Sequence, residues 1–205
     1  GGFRQIIKSC VIGIVPDHAS AVKVDGVGIV RIHCGYFDGS GMVISNLTQT
    51  KSRQFSGLFG VIYNAAVSNL GINNANINVV YSGSYCLAGG LAGSAANSNI
   101  VACYVTNSVV HAEYQSGLCA VGGLVGELYS GKEIELSNCF ANCEVTSYGS
   151  TNTAAGGLIG IIDWDSGSNV YRINSCYTMG TVSSNRSTGG FAGLAWSDII
   201  YINNC

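Results

Sequence analysis

The side chains able to do chemistry in this sequence are few and scattered. His18, His33 and His111 stand far apart, and none has a cysteine or second histidine at zinc-ligand spacing. Cys139-x-x-x-Cys143 lacks a second cysteine pair at a suitable distance, so no metal site is expected there. No G-x-S-x-G elbow or other nucleophile signature occurs, and the cysteines recur at a repeat position, which marks them as core groups. Asp163-Trp164-Asp165-Ser166-Gly167 opens as a D-x-D-x-G calcium loop does but has no closing glutamate; Asp163 and Asp165 are candidate ligands, and an exposed turn is the plainer reading. β-Helical polysaccharide lyases and glycosidases carry acids on one face. Here Asp17, Asp25 and Asp38 are the only N-terminal acids, and the repeats place no acidic pair at equivalent positions. The expectation is therefore no catalytic residue, no cofactor and no enzyme.

The elements that position these groups are set by an internal repeat. Gly57-Leu58-Phe59-Gly60 returns as Gly90-Leu91-Ala92-Gly93, Gly123-Leu124-Val125-Gly126, Gly157-Leu158-Ile159-Gly160 and Gly190-Phe191-Ala192-Gly193, in steps of 33, 33, 34 and 33 residues. A second motif follows each: Val67-Ser68-Asn69-Leu70, Ile100-Val101-Ala102-Cys103, Leu136-Ser137-Asn138-Cys139, Ile173-Asn174-Ser175-Cys176 and Ile202-Asn203-Asn204-Cys205. In three repeats a valine stands six residues past the cysteine, at Val109, Val145 and Val182. Three short apolar stations per repeat bury too little to fold alone but stack well. Stacked in register as parallel strands about 4.8 Å apart, they predict an all-β, right-handed parallel β-helix, a solenoid with coils of about 33 residues. A β-propeller would need four antiparallel strands per blade, and these stations are too short for that. Asn69, Asn138 and Asn204 fit a tight left-handed turn and could form a partial asparagine ladder.

The stacked register raises further candidate sites. Tyr104, Phe140 and Tyr177 directly follow ladder cysteines, so strand alternation turns them outward as an aromatic stripe, either a sugar-binding face or packing under variable loops. Cys86 and Cys119 each precede the Gly-Gly pair by three residues, and one coil spacing of about 4.8 Å lies within the Cα separation of a disulfide, so a coil-to-coil bridge is feasible. Cys103, Cys139, Cys176 and Cys205 form a second ladder expected to stay mostly reduced. Asn46-Leu47-Thr48 and Asn185-Arg186-Ser187 are N-glycosylation sequons, relevant in a secreted eukaryotic protein.

Composition narrows the class. Of 205 residues only 10% are charged, 47% are hydrophobic, 29 are glycine and nine are cysteine. A net charge of −2 and the lack of a Lys/Arg cluster give no footprint for nucleic acid. Apolar stretches are interrupted by Gly, Asn and Ser, so no membrane span is expected. The cysteines favour an oxidising compartment, extracellular or cell-surface.

The order Phe37-Asp38-Gly39-Ser40-Gly41-Met42-Val43-Ile44-Ser45-Asn46-Leu47, then Gly57-Leu58-Phe59-Gly60, then GGLxG and N-C-Y/F coils resembles GLUG-motif proteins over residues 34–205. Cys86, Cys119 and Cys143 are extra to that motif, and residues 1–33 match only loosely, as one or more irregular N-terminal coils in which Ile7-Lys8-Ser9-Cys10 imitates Ile173-Asn174-Ser175-Cys176. The resemblance implies a large secreted or surface-attached adhesin-like protein, of which this is one continuous domain. The expected function is a rigid structural or adhesive module whose partner is a glycan, a host or matrix surface, or further copies of itself. A self-assembling filament subunit and a β-helical polysaccharide-degrading enzyme are the alternatives.

Overall fold

The computed structural model describes residues 6–7, 29–129, 133–149, 152–162, 169–197 and 199–205. It is a parallel β-solenoid of about five turns, without a helix among those residues. His18, Asp17, Asp25, Cys10 and the Asp163/Asp165 pair lie outside the described residues.

One coil shows how the sequence sets the path. Tyr85–Gly89 runs in a five-stranded sheet, Gly90-Leu91 turns the corner, and Ala92–Ala96 runs in a six-stranded sheet. Asn97 then turns the chain into a 12-stranded sheet, where Asn99–Val101 and Tyr104–Tyr114 are separated by Ala102. Asn97 and Ala102 sit at φ of 50° and 52°, the left-handed region that asparagine tolerates best among non-glycine residues. Asn69, Asn138 and Asn204 also sit there, at 54°, 53° and 54°. Coil-to-coil asparagine bonds run beside these turns, from Asn74 to Asn46, Asn107 to Asn73 and Asn203 to Asn174.

The predicted ladders form. Val67, Ile100, Leu136, Ile173 and Ile202 are register partners in sequence, and Ile7 pairs with Phe37, itself paired with Val67. The strand Ile29–His33 also joins the stack, pairing with Phe59–Tyr63. A rung of the solenoid therefore begins before residue 34. Leu58, Leu91, Leu124 and Leu158 are buried together with the strand residues around them, each burial contributing roughly 1.5–3 kcal/mol.

One ladder needs correction. Val145 pairs with Val182 but faces Val110, not Val109, because the register shifts between Thr106 and Ser108. Asn107, at φ 51°, is the extra residue of this bulge. Val110 is consequently fully buried, while Val109 is 38% exposed.

The glycines allow two sheets to touch. A Cβ on Gly93 would lie 2.7 Å from Ser56 N and 2.8 Å from Leu87 O, and one on Gly126 would lie 2.7 Å from Ala88 N. Backbones of the five- and six-stranded sheets thus approach along a line of glycines, which only a residue without Cβ permits. Among the described residues no helix is long and apolar enough to cross a membrane.

Candidate functional site

The aromatic stripe is a closed stack. Tyr104 and Phe140 lie 4.9 Å apart at 5° between planes, and Phe140 and Tyr177 lie 4.8 Å apart at 3°. Tyr104 in turn lies against Gly71, its partner in the preceding coil. Both faces of Phe140 are covered, so between Tyr104 and Tyr177 the stripe offers ring edges rather than faces. Sugar rings stack on faces, and cross-strand packing is what this geometry serves.

Cys86 and Cys119 are register partners, both buried, with free thiols hydrogen-bonded to one another; that bond and burial push the Cys86 thiol up. In the other ladder the Cys103 amide donates to Cys139 Sγ at 3.4 Å, and the Cys176 amide to Cys205 Sγ at 3.4 Å. Burial pushes the Cys103 thiol up to about 12. Among the described cysteines only Cys34 and Cys205 are exposed. Iodoacetamide at neutral pH is accordingly expected to label those two in the folded protein and the other six only after denaturation. Mass mapping of alkylated peptides checks this, and rapid native labelling of Cys119 or Cys139 would contradict the burial.

The remaining predicted positions disperse. The Asn46 carboxamide accepts from Asn74 at 2.6 Å. Asn185 accepts from Thr153 Oγ1 at 2.9 Å and donates to the Gly149 carbonyl, tying its turn to the preceding coil. His33 stacks on Tyr63 at 5.1 Å, and His111 Nδ1 lies 2.9 Å from Thr146 Oγ1. Asp38 accepts from the Ser40 amide and the Asn69 carboxamide, which hold its carboxyl below the usual range. Among the described residues no group of three or more His, Cys, Asp or Glu converges.

A concavity lies elsewhere, between residues of the five- and six-stranded sheets. Phe55 and Leu118 of its lining pack, with Leu194, against a small buried cluster of Leu87, Ala120, Ala154 and Ile161. The cavity measures about 540 Å³, within the range of ligand sites. One wall carries Phe55, Ser84, Tyr85 and Leu118; the other carries Val61, Ser94 and Glu127, then Tyr63, Ala96 and Tyr129. Strand alternation explains this wall, since Ile62, Ala95 and Leu128 between these positions point into the core. A second hollow of about 180 Å³ shares Leu118 and continues to Arg186 and Trp196.

Glu127 supplies the charge in the larger cavity. Ser94 Oγ donates to its Oε2 at 2.6 Å. The Tyr85 phenol, on the opposite wall, is pushed up by burial and then by the Glu127 carboxylate and Tyr81, which places phenol and carboxylate within reach of each other's field.

Tyr63, Ala96, Tyr129 and Trp196 each stand three residues past the last glycine of their motif, and Ala96 is the register partner of both Tyr63 and Tyr129. This offset is the signal by which the column is visible in the sequence. A search for recurring residue types passes over it, because the column alternates rings with other residues.

No protein-family model matches the chain, and neither a curated protein nor a solved structure does.

Proposed function

We propose that the chain is a non-enzymatic structural and adhesive module, a rigid β-solenoid acting outside the cell or at its surface and recognising a glycan or matrix surface along its side. The observation that carries this reading is the groove, about 540 Å³ in volume, with tyrosines on both walls. Glu127 is the one carboxylate among its described lining residues, whereas glycoside hydrolysis ordinarily uses two facing carboxyl groups. A wall of rings with hydrogen-bonding groups between them suits binding without turnover. The resemblance to GLUG-motif proteins supports the same role. Incubation on a glycan and matrix-protein array is expected to give selective binding, and release of reducing or unsaturated sugar ends from a polysaccharide panel would overturn the non-enzymatic reading.

A subunit of a self-assembling filament is the second reading. The last coil exposes apolar rungs, Tyr177 at 49%, Met179 at 57% and Ile202 at 52%, which are register partners of half-buried or buried residues one coil earlier. A further coil, from the same chain or another copy, would cover them. Electron microscopy separates the two: isolated rods accompany the adhesive reading, and regular fibrils without array binding would replace it.

A further inference from the structure

We propose that Cys176 and Cys205 are a thiol pair that a low-molecular-weight disulfide oxidises to a coil-to-coil bridge in the folded chain, while the pairs Cys86/Cys119 and Cys103/Cys139 stay reduced. This modification site is independent of what the groove binds.

The two residues occupy the same place in successive coils. Each stands two residues past the register pair Asn174 and Asn203, behind a left-handed turn residue, Ser175 at φ 52° or Asn204 at 54°. Their thiols are oriented alike: Cys176 Sγ donates to the Asn174 carbonyl at 3.3 Å, and Cys205 Sγ to the Asn203 carbonyl at 3.2 Å. The Cys176 amide donates to Cys205 Sγ at 3.4 Å, so that sulfur already lies against its neighbour. One coil step of about 4.8 Å falls within the Cα separation of a disulfide, about 4.4–6.8 Å. Closing the bridge therefore asks for side-chain rotation and no backbone shift.

Exposure decides which rung reacts. Thiol–disulfide exchange begins when a thiolate reaches a disulfide in solution. Cys205 is exposed, whereas Cys86, Cys103, Cys119 and Cys139 are fully buried. Cys86 and Cys119 are register partners too, but neither can meet the reagent. Cys34, the other exposed cysteine among those described, gives its amide to Tyr63 O and stands opposite Asn64, not a thiol. Hydrogen bonding, first to the Cys139 thiol and also to Cys205, holds the Cys176 thiol below its ordinary value against the opposing effect of burial. That suits it to act as the second nucleophile.

With oxidised glutathione as the reagent, the exchange balances in two steps. The Cys205 thiolate attacks one reagent sulfur, the reagent S–S bond breaks, and one glutathione leaves as a thiolate that takes up the Cys205 proton. The Cys176 thiolate then attacks Cys205 Sγ, the mixed disulfide breaks, and the second glutathione leaves with the Cys176 proton. Two protein thiols are oxidised and one disulfide is reduced to two thiols. The product ties the strand Ile199–Asn203, paired on one side only, to the coil of Val170–Asn174.

The test incubates the whole folded 205-residue chain with oxidised glutathione at about pH 8, quenches with acid, alkylates after denaturation and maps the non-reduced peptides. The expected result is loss of the Cys176 and Cys205 thiols into one linked peptide free of glutathione. Cys34 should keep a glutathione adduct, and Cys86, Cys103, Cys119 and Cys139 should all be alkylated. The oxidised chain should melt at a higher temperature, and reductant should abolish the gain. Cys176→Ser should trap glutathione on Cys205. Where that buried change prevents folding, the exposed change Cys205→Ser should leave Cys176 alkylated as a thiol. A glutathione adduct persisting on Cys205 of the parent chain would overturn the pair, as would an unreacted Cys205 or its bridging to a second chain. Oxidation of Cys86 and Cys119 at the same rate would overturn the role given to exposure.

Discussion

Replacing Gly126 by alanine is expected to lower the melting temperature by about 6–12 °C, the consequence of roughly 3 kcal/mol of overpacking in a chain of this size. The same change at Gly190 should leave it within about a degree, as for surface substitutions generally. The added methyl at Gly126 would meet Gly93 O at 2.6 Å, Ala88 N at 2.7 Å and Ala88 O at 2.8 Å. All three are backbone atoms, hydrogen-bonded within their sheets, and none can rotate away as a side chain would. Gly126 has an ordinary φ, so the penalty comes from space and not from backbone conformation. At Gly190 nothing lies within 4 Å of an added Cβ. Both glycines belong to the same repeated motif, so the pair separates the cost of the contact from the cost of losing a motif glycine. Thermal denaturation followed by circular dichroism reads both variants. Equal melting of the two would mean that the five- and six-stranded sheets do not meet backbone to backbone.

The same contact explains how the groove arises. With the two backbones held together along the glycine line, the sheets converge, and Leu87, Ala120 and Ala154 of one come against Ile161 of the other. The groove is thus an indirect product of the motif. The cluster against which Phe55 and Leu118 pack needs only small or apolar residues, while the groove's rim at three residues past each motif is open to variation. Scaffold and recognition surface are in this way separable, the arrangement expected where function sits on a rigid stack.

Much of the scaffold was legible because it depends on short-range rules repeated at a fixed interval. The apolar ladder from Val67 to Ile202, the left-handed turns at Asn69, Asn138 and Asn204, and the outward stack of Tyr104, Phe140 and Tyr177 all follow from strand alternation and turn chemistry. Counting residues from Cys103 failed at Val109, since a bulge at Asn107 adds one residue that spacing alone does not reveal. The groove was not legible for a different reason. Its walls belong to two strands separated by the Gly-Leu corner, and the angle between them is set by close backbone contact, which no local pattern records. The stripe that the sequence did single out has both faces of its middle ring, Phe140, covered, and the column it passed over lines the groove.

Raising the pH from 9 to 12 is expected to remove on the order of 4 kcal/mol of stability for each of two buried thiols, about 1.4 kcal/mol per pH unit each. Cys103 and Cys143 are pushed from 9.0 up to about 12, chiefly by burial, which disfavours the thiolate. In the unfolded chain they ionise near the ordinary thiol value, so above it the unfolded state binds fewer protons than the folded one. Stability then falls as pH rises. The contribution is whole below pH 9 and lost progressively towards pH 12, where the folded thiols ionise in turn. Backbone carbonyls beside them, Val101 O for Cys103 and Val105 O for Cys143, accept from the neutral thiols and would repel the thiolates. Denaturant midpoints at pH 7, 9, 10 and 11 read the slope. The double variant Cys103→Ala, Cys143→Ala should start less stable, because it empties space in the core, yet lose less between pH 9 and 11 than the parent chain. An identical slope in both proteins would show that the two thiols are not held neutral by burial, and that they are more open to water than their contacts with the Val67 and Val105 carbonyls indicate.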